Sequence, residues 1–121
     1  MKRNVIIEKS YAFSVDIVKL GYSLIDKKEF ILSKQLIRSA TSIGANAEEA
    51  SGALTKKEFH HRMSISYREA RESRYWLRLL RDTNWLSESE AQKYLDSIEE
   101  ILRILGSILK SLRSDRAAGI K

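Results

Sequence analysis

Apolar residues recur along the chain at alternating steps of three and four, the mark of amphipathic helices that share a core. The clearest case is residues 55–83, where Phe59, Met63, Ser66, Ala70, Ser73, Leu77 and Leu80 form one seam. Thr55 and Glu58 open this helix as a Ser/Thr-x-x-Glu capping box, with Leu54 and Phe59 placed as a hydrophobic staple. Between residues 10 and 26 one helix carries two opposed seams. Tyr11, Val15, Val18, Tyr22 and Ile25 make one, and Phe13, Ile17, Leu20 and Leu24 make the other. Only one of them can face the core of a small bundle, so the other needs cover from a second chain. We assign the Phe13 seam to that outside contact.

Ser33 is a plausible N-cap for the next helix, with Leu32 and Ile37 as its staple, and the seam that follows is Leu36, Ala40, Ile43, Ala47 and Ala50. With Ser39, Gly44 and Ser51 beside it, this surface is built mainly from small residues. Gly44 costs about 1 kcal/mol relative to alanine inside a helix, which a close approach of another helix would offset. Gly52 suits the C-cap region. The pattern breaks again over residues 82–86, where Ser87 and Glu90 repeat the capping box. A wide apolar face follows, built on Ala91, Leu95, Ile98, Leu102, Leu105, Leu109 and Leu112.

The pattern predicts helices at about 5–27, 34–52, 56–82 and 88–113 in one domain, residues 1–116, with a flexible basic tail at 117–121. Short connections make sequential helices antiparallel neighbours, so the fold class is all-α, an up-down-up-down antiparallel four-helix bundle. The three breaks argue against its rival, one continuous coiled coil. Composition agrees, since the chain has no proline and only five glycines in 121 residues.

The absence of cysteine excludes a disulfide framework and thiolate metal sites. Neither a secretory signal nor a membrane-length apolar run is present in the sequence, so a soluble, cytoplasmic protein without a membrane partner is expected. The one catalytic-looking motif is Glu58-x-x-His61. Di-iron bundles use two such motifs and two further glutamates, whereas here a capping glutamate and a surface histidine account for the pair. No catalytic residue, metal ligand or cofactor is assigned, and no enzyme is expected.

Charge changes the picture more. The formal net charge is +6 and the pI about 9.7, and residues 55–83 hold eight Lys and Arg against four Asp and Glu. His60, Tyr67, Arg71, Arg74, Arg78 and Arg81 lie about a quarter turn from the seam, a basic flank suited to phosphates because guanidinium forks bind them bidentately. With Lys34 and Arg38 from the preceding helix, Arg71, Arg74, Arg78 and Arg81 are the candidate nucleic-acid-binding residues. The alternative is that these arginines pair with Glu69, Glu72, Asp82 or a neighbouring subunit. On the opposite flank Ile65, Trp76 and Leu79 join Phe13, Ile17, Leu20 and Leu24 as candidate oligomer contacts. Tyr75 and Trp76 could stack on bases, although aromatic residues at helical spacing more often pack.

The run from Leu32 to Asn46, then Glu48-Glu49-Ala50, Lys56-Lys57-Glu58-Phe59, Ser64-Ile65 and Glu69 to Leu80, resembles the bacterial four-helix-bundle family of 23S rRNA-intervening-sequence proteins. That family includes the accessory variability determinant of diversity-generating retroelements. The resemblance implies a non-catalytic, ring-like homo-oligomer, a pentamer, with RNA, DNA or a nucleic-acid enzyme such as a reverse transcriptase as partner. Many relatives read Asn-Ile-Ala-Glu-Gly where this chain has Asn46 to Ala50, which puts it on a different branch. The resulting expectation is a non-enzymatic homo-oligomer that binds nucleic acid or a nucleoprotein through its arginine-rich third helix. The rival is a scaffolding oligomer whose arginines merely bridge subunits.

Overall fold

The computed structural model describes the backbone of residues 2–117 and the side chains of 5–114. Four helices follow one another: α1 (Lys2–Asp26), α2 (Ile31–Ser51), α3 (Lys56–Asp82) and α4 (Glu88–Ala117). Each packs against its sequence neighbours, and α1 closes the bundle on α4 through the sparsest of the four contacts. Among the described residues the backbones of the diagonal pairs stay more than 8 Å apart, so the four short-looped helices stand as an antiparallel square around one core. Helix α4 runs beyond its expected end to Ala117, and residues 118–121 of the expected tail lie outside the described residues.

Local chemistry explains the boundaries. Thr55 Oγ1 accepts the Glu58 N–H at 3.0 Å, and Glu58 Oε2 reaches back to the Leu54 N–H at 3.4 Å. The expected staple does not form, because Leu54 is 93% exposed. At α4 the capping box is complete: Ser87 Oγ accepts from Glu90 N at 3.1 Å and Glu90 Oε1 from Ser87 N at 2.9 Å. Donation from the Ser87 backbone and hydroxyl holds the Glu90 carboxyl below the usual carboxylate range.

Helix α2 starts earlier than its serine signal indicated. Its N-cap is Phe30, which offers no side-chain cap, and the buried Glu29 carboxylate accepts the Ser33 N–H at 2.7 Å instead. Ser33 therefore lies inside the first turn, where its hydroxyl donates to the Glu29 carbonyl at 2.6 Å. Both α1 and α3 end in paired backbone bonds of the Schellman type, Glu29 N–H to Leu24 O with Lys28 N–H to Ile25 O, and Trp85 N–H to Leu80 O with Asn84 N–H to Arg81 O. These turns hold Lys28 at φ 70° and Asn84 at φ 67°. Asparagine tolerates that left-handed region; lysine occupies it at a steric cost.

The core corrects the phasing of α1. Phe13, Ile17, Leu20 and Leu24 are buried in the chain's own core with Ile6, so they are not open to a second chain. The Tyr11 seam is the outward one: Tyr11 is 68% and Tyr22 64% exposed, and Val18 and Ile25 are half-buried. Periodicity alone could not choose between two comparably apolar stripes.

The α2 seam lies in the core as expected, and hydroxyls tie it to both neighbours. Ser66 Oγ donates to Ile43 O at 2.8 Å, Ser39 and Ser73 share a hydrogen bond at 2.9 Å, and Ser14 Oγ reaches Ala40 O at 3.3 Å. Among the described residues no buried side-chain polar atom lacks a partner. The tightest approach is at Gly21 rather than Gly44. A methyl group built at Gly21 falls 2.6 Å from Ile37 Cγ1, whereas one at Gly44 meets Ser14 Oγ at an ordinary 3.4 Å.

Gly44→Ala should therefore raise the melting temperature, because it gains about 1 kcal/mol of helix propensity without a clash. Gly21→Ala should lower it, since overpacking typically costs about 1–3 kcal/mol and outweighs that gain. Adding Ile37→Ala to Gly21→Ala should reduce the overpacking penalty. Thermal melts of the three variants decide the matter, and equal shifts for the two glycines would show that α1 and α2 do not meet at Gly21.

Candidate nucleic-acid interface

Helix α3 turns one side to α2, another to α4 and a third outward, and its charged residues divide among them. Toward α2, Arg38 Nη1 donates to Glu69 Oε2 at 3.0 Å, its other arm pairs with Glu72, and its Nε donates to Gln35 Oε1 at 3.3 Å. Trp76 Nε1 donates to Glu72 Oε2 at 3.0 Å, with the indole packed against the core. Arg38 is thus a brace between α2 and α3. Ile65 and Leu79, the other residues predicted on this flank, are half-buried within the chain like Trp76.

Toward α4, Arg74 Nη1 donates to Glu99 Oε1 at 2.8 Å. Arg81 binds its neighbour Asp82 through Nε at 2.8 Å and Nη2 at 3.3 Å. That hydrogen bonding lowers the Asp82 carboxyl and raises the Arg81 guanidinium from their ordinary values. Three of the six predicted basic residues, Arg38, Arg74 and Arg81, are therefore engaged by carboxylates of their own chain. Lys34, Arg71 and Arg78 are exposed and make no ion pair among the described residues.

The outward strip of α3 is richer than the stripe read from sequence. Arg68, Arg71, Tyr75 and Arg78 follow at steps of three and four and are all exposed. Tyr75 is 52% exposed, with its ring edge-to-face on Trp76 at 5.1 Å between centroids. Pairing with α4 extends the basic surface at the N-terminal end of this strip, while Arg74 faces the acidic stretch of α4 around Glu99. The antiparallel register set by Arg74 with Glu99, and by Gly106 beside the Tyr67 ring, puts the N-terminal half of α3 along the C-terminal half of α4. There Arg103, Lys110 and Arg113 are exposed, and neither residues 59–68 nor residues 101–114 contain an Asp or Glu.

These three α4 residues escaped the sequence reading because the acids of α4 cancel them in a segment sum. The available signal was polarity within the helix. Glu88, Glu90, Asp96, Glu99 and Glu100 precede Arg103, Lys110 and Arg113, the order that the helix dipole favours. Glu58 is occupied as a cap and His61 is exposed. Among the described residues no three His, Asp or Glu side chains come together as metal ligands.

The family model of the 23S rRNA-intervening sequence protein matches residues 2–107. The chain belongs to that family. Within the 23S rRNA-intervening sequence protein family it is similar to a crystal structure from Bacteroides thetaiotaomicron, a protein of unknown function from the S23 ribosomal protein family. The two share 41% identity over 91% of this chain and 99% of the other, with a TM-score of 0.89. No curated protein matches the chain. The match takes in all of α2 and α3 and most of α4, including Arg103 but ending before Lys110. No described helix of this family member is long and apolar enough to cross a membrane.

The geometry separates arginines that hold the bundle together from arginines that do not. Arg71→Gln and Arg78→Gln should each change unfolding free energy by less than about 0.5 kcal/mol, as surface substitutions away from partners do. Arg38→Gln, which leaves Glu69 and Glu72 without their cation, should cost more, up to about 1 kcal/mol after solvent screening. Urea titrations of the three variants test this, and a large loss at Arg71 or Arg78 would mark them as structural.

Proposed function

We propose that this chain is a non-catalytic, self-associating bundle that binds nucleic acid along the outward face of α3 and the adjoining half of α4. The observation that carries the reading is the set of exposed cations on that surface without carboxylate partners. Uncompensated like charge opposes the compact fold through self-repulsion, whereas a polyanion gives it a partner and releases counterions on binding. Guanidinium groups suit the bidentate recognition of phosphate oxygens, and the cations of the strip from Arg68 to Arg78 are all arginines.

Self-association is supported by the outer face of α1. Tyr11, Val15, Val18, Tyr22 and Ile25 run along it without an intervening charge on the same stripe, beside an open groove floored by Gly44 and Ala45 of α2. Light scattering should give a mass several times the 14.0 kDa of one chain. Val18→Asp should reduce that mass while leaving the helical circular dichroism intact. A monomeric wild-type protein at micromolar concentration overturns this half of the proposal.

Binding is tested through salt. Affinity for RNA or DNA should fall steeply as salt rises, and the log–log slope should shrink by about 0.7–0.9 for each phosphate contact removed. Arg71→Gln with Arg78→Gln should weaken binding strongly without changing the oligomer. If that double variant instead dissociates the assembly, the arginines bridge subunits and the scaffolding reading replaces this one.

A further inference from the structure

We propose that Tyr75 is a stacking platform for an unpaired nucleobase, so that the nucleic acid held on α3 is single-stranded. The inference rests on the nucleic-acid reading above and deepens it. Tyr75 stands on the outward strip with Arg71 one turn before it and Arg78 one turn after. At 1.5 Å rise per residue the two guanidinium stems leave the helix roughly 10 Å apart, with the ring between them. An aromatic face flanked by cations is the arrangement that holds a base by stacking while its neighbouring phosphates are neutralised.

The ring's one aromatic contact among the described residues is the edge of Trp76, and its face is left open. It is half exposed and its hydroxyl makes no hydrogen bond among the described residues, while the adjacent Trp76 does the packing. One edge contact orients the Tyr75 ring. Trp76 lies across its edge at an interplanar angle of 74°, and that indole is held by Glu72, which Arg38 braces from α2. Holding a ring in place before a ligand arrives reduces the ordering cost of binding. The other exposed tyrosines, Tyr11 and Tyr22, lie on the outer face of α1, diagonal to α3 in the bundle. Base faces are buried by stacking inside a duplex and are free in a single strand, so an aromatic platform discriminates between the two.

The test compares a fluorescein-labelled oligouridylate with a duplex RNA of equal length by anisotropy, using the full chain. Wild-type protein should bind the single strand more tightly. Tyr75→Leu should lower single-strand affinity by about tenfold while leaving duplex affinity and the helical circular dichroism unchanged, with only a small drop in melting temperature from the lost Trp76 contact. Tyr75→Phe, which keeps the ring, should bind as wild type does, and Arg71→Gln should weaken both complexes. Single-strand binding by Tyr75→Leu at wild-type strength, or a wild-type preference for duplex, overturns the inference while leaving the charge-based reading in place. Binding to neither probe removes both.

Discussion

The rest of the structure depends on how thin α2 is. Beside Leu36 and Ile43, α2 offers the core mainly small residues, Ala40, Gly44, Ala47 and Ala50 with the buried Ser33 and Ser39. Small side chains let backbones approach, and at that distance a serine on one helix reaches a carbonyl on the next. Ser66 and Ser14 do so from opposite sides. Each such bond adds only about 1 kcal/mol net, but leaving the same hydroxyl buried and unpaired would cost about as much or more. The arrangement therefore fixes register as well as distance.

That register decides which charges of α3 remain available. Because α3 sits close to α2, Arg38 spans the gap to Glu69 and Glu72, and Glu72 is in turn within reach of the Trp76 indole. Across the other side Arg74 is taken by Glu99. These exposed or half-exposed pairs are worth little individually, since water screens them and long side chains lose entropy in forming them. Their larger consequence is selective. They remove the inward-leaning arginines from the surface field and leave the outward ones, Arg68, Arg71 and Arg78, beside an aromatic ring that the same network orients.

Helix α1 illustrates the same division between local and tertiary information. Its two seams are both good amphipathic stripes, and a wrong choice between them reverses inside and outside for a quarter of the bundle. In the folded chain Phe13, Ile17 and Leu24 fill the common core, while Gly21 lets α1 settle against Ile37 of α2. The Tyr11 stripe would not serve in that place, because two buried phenol hydroxyls would each need a partner.

The sequence by itself determined the four helices, their order, the seam of α3, the two serine and threonine caps and the family, because those features are local or are repeated in relatives. It could not determine the start of α2, since a buried carboxylate two residues before the helix, Glu29, accepts the amide of Ser33, the residue that looked like the cap. Nor could it rank the arginines. Arg71 and Arg74 are equivalent by spacing and charge, and only the presence of Glu99 across a helix interface separates them. The basic half of α4 was hidden for the same reason: a charge sum is blind to direction, and two segments distant in sequence become one surface only when their helices pack antiparallel.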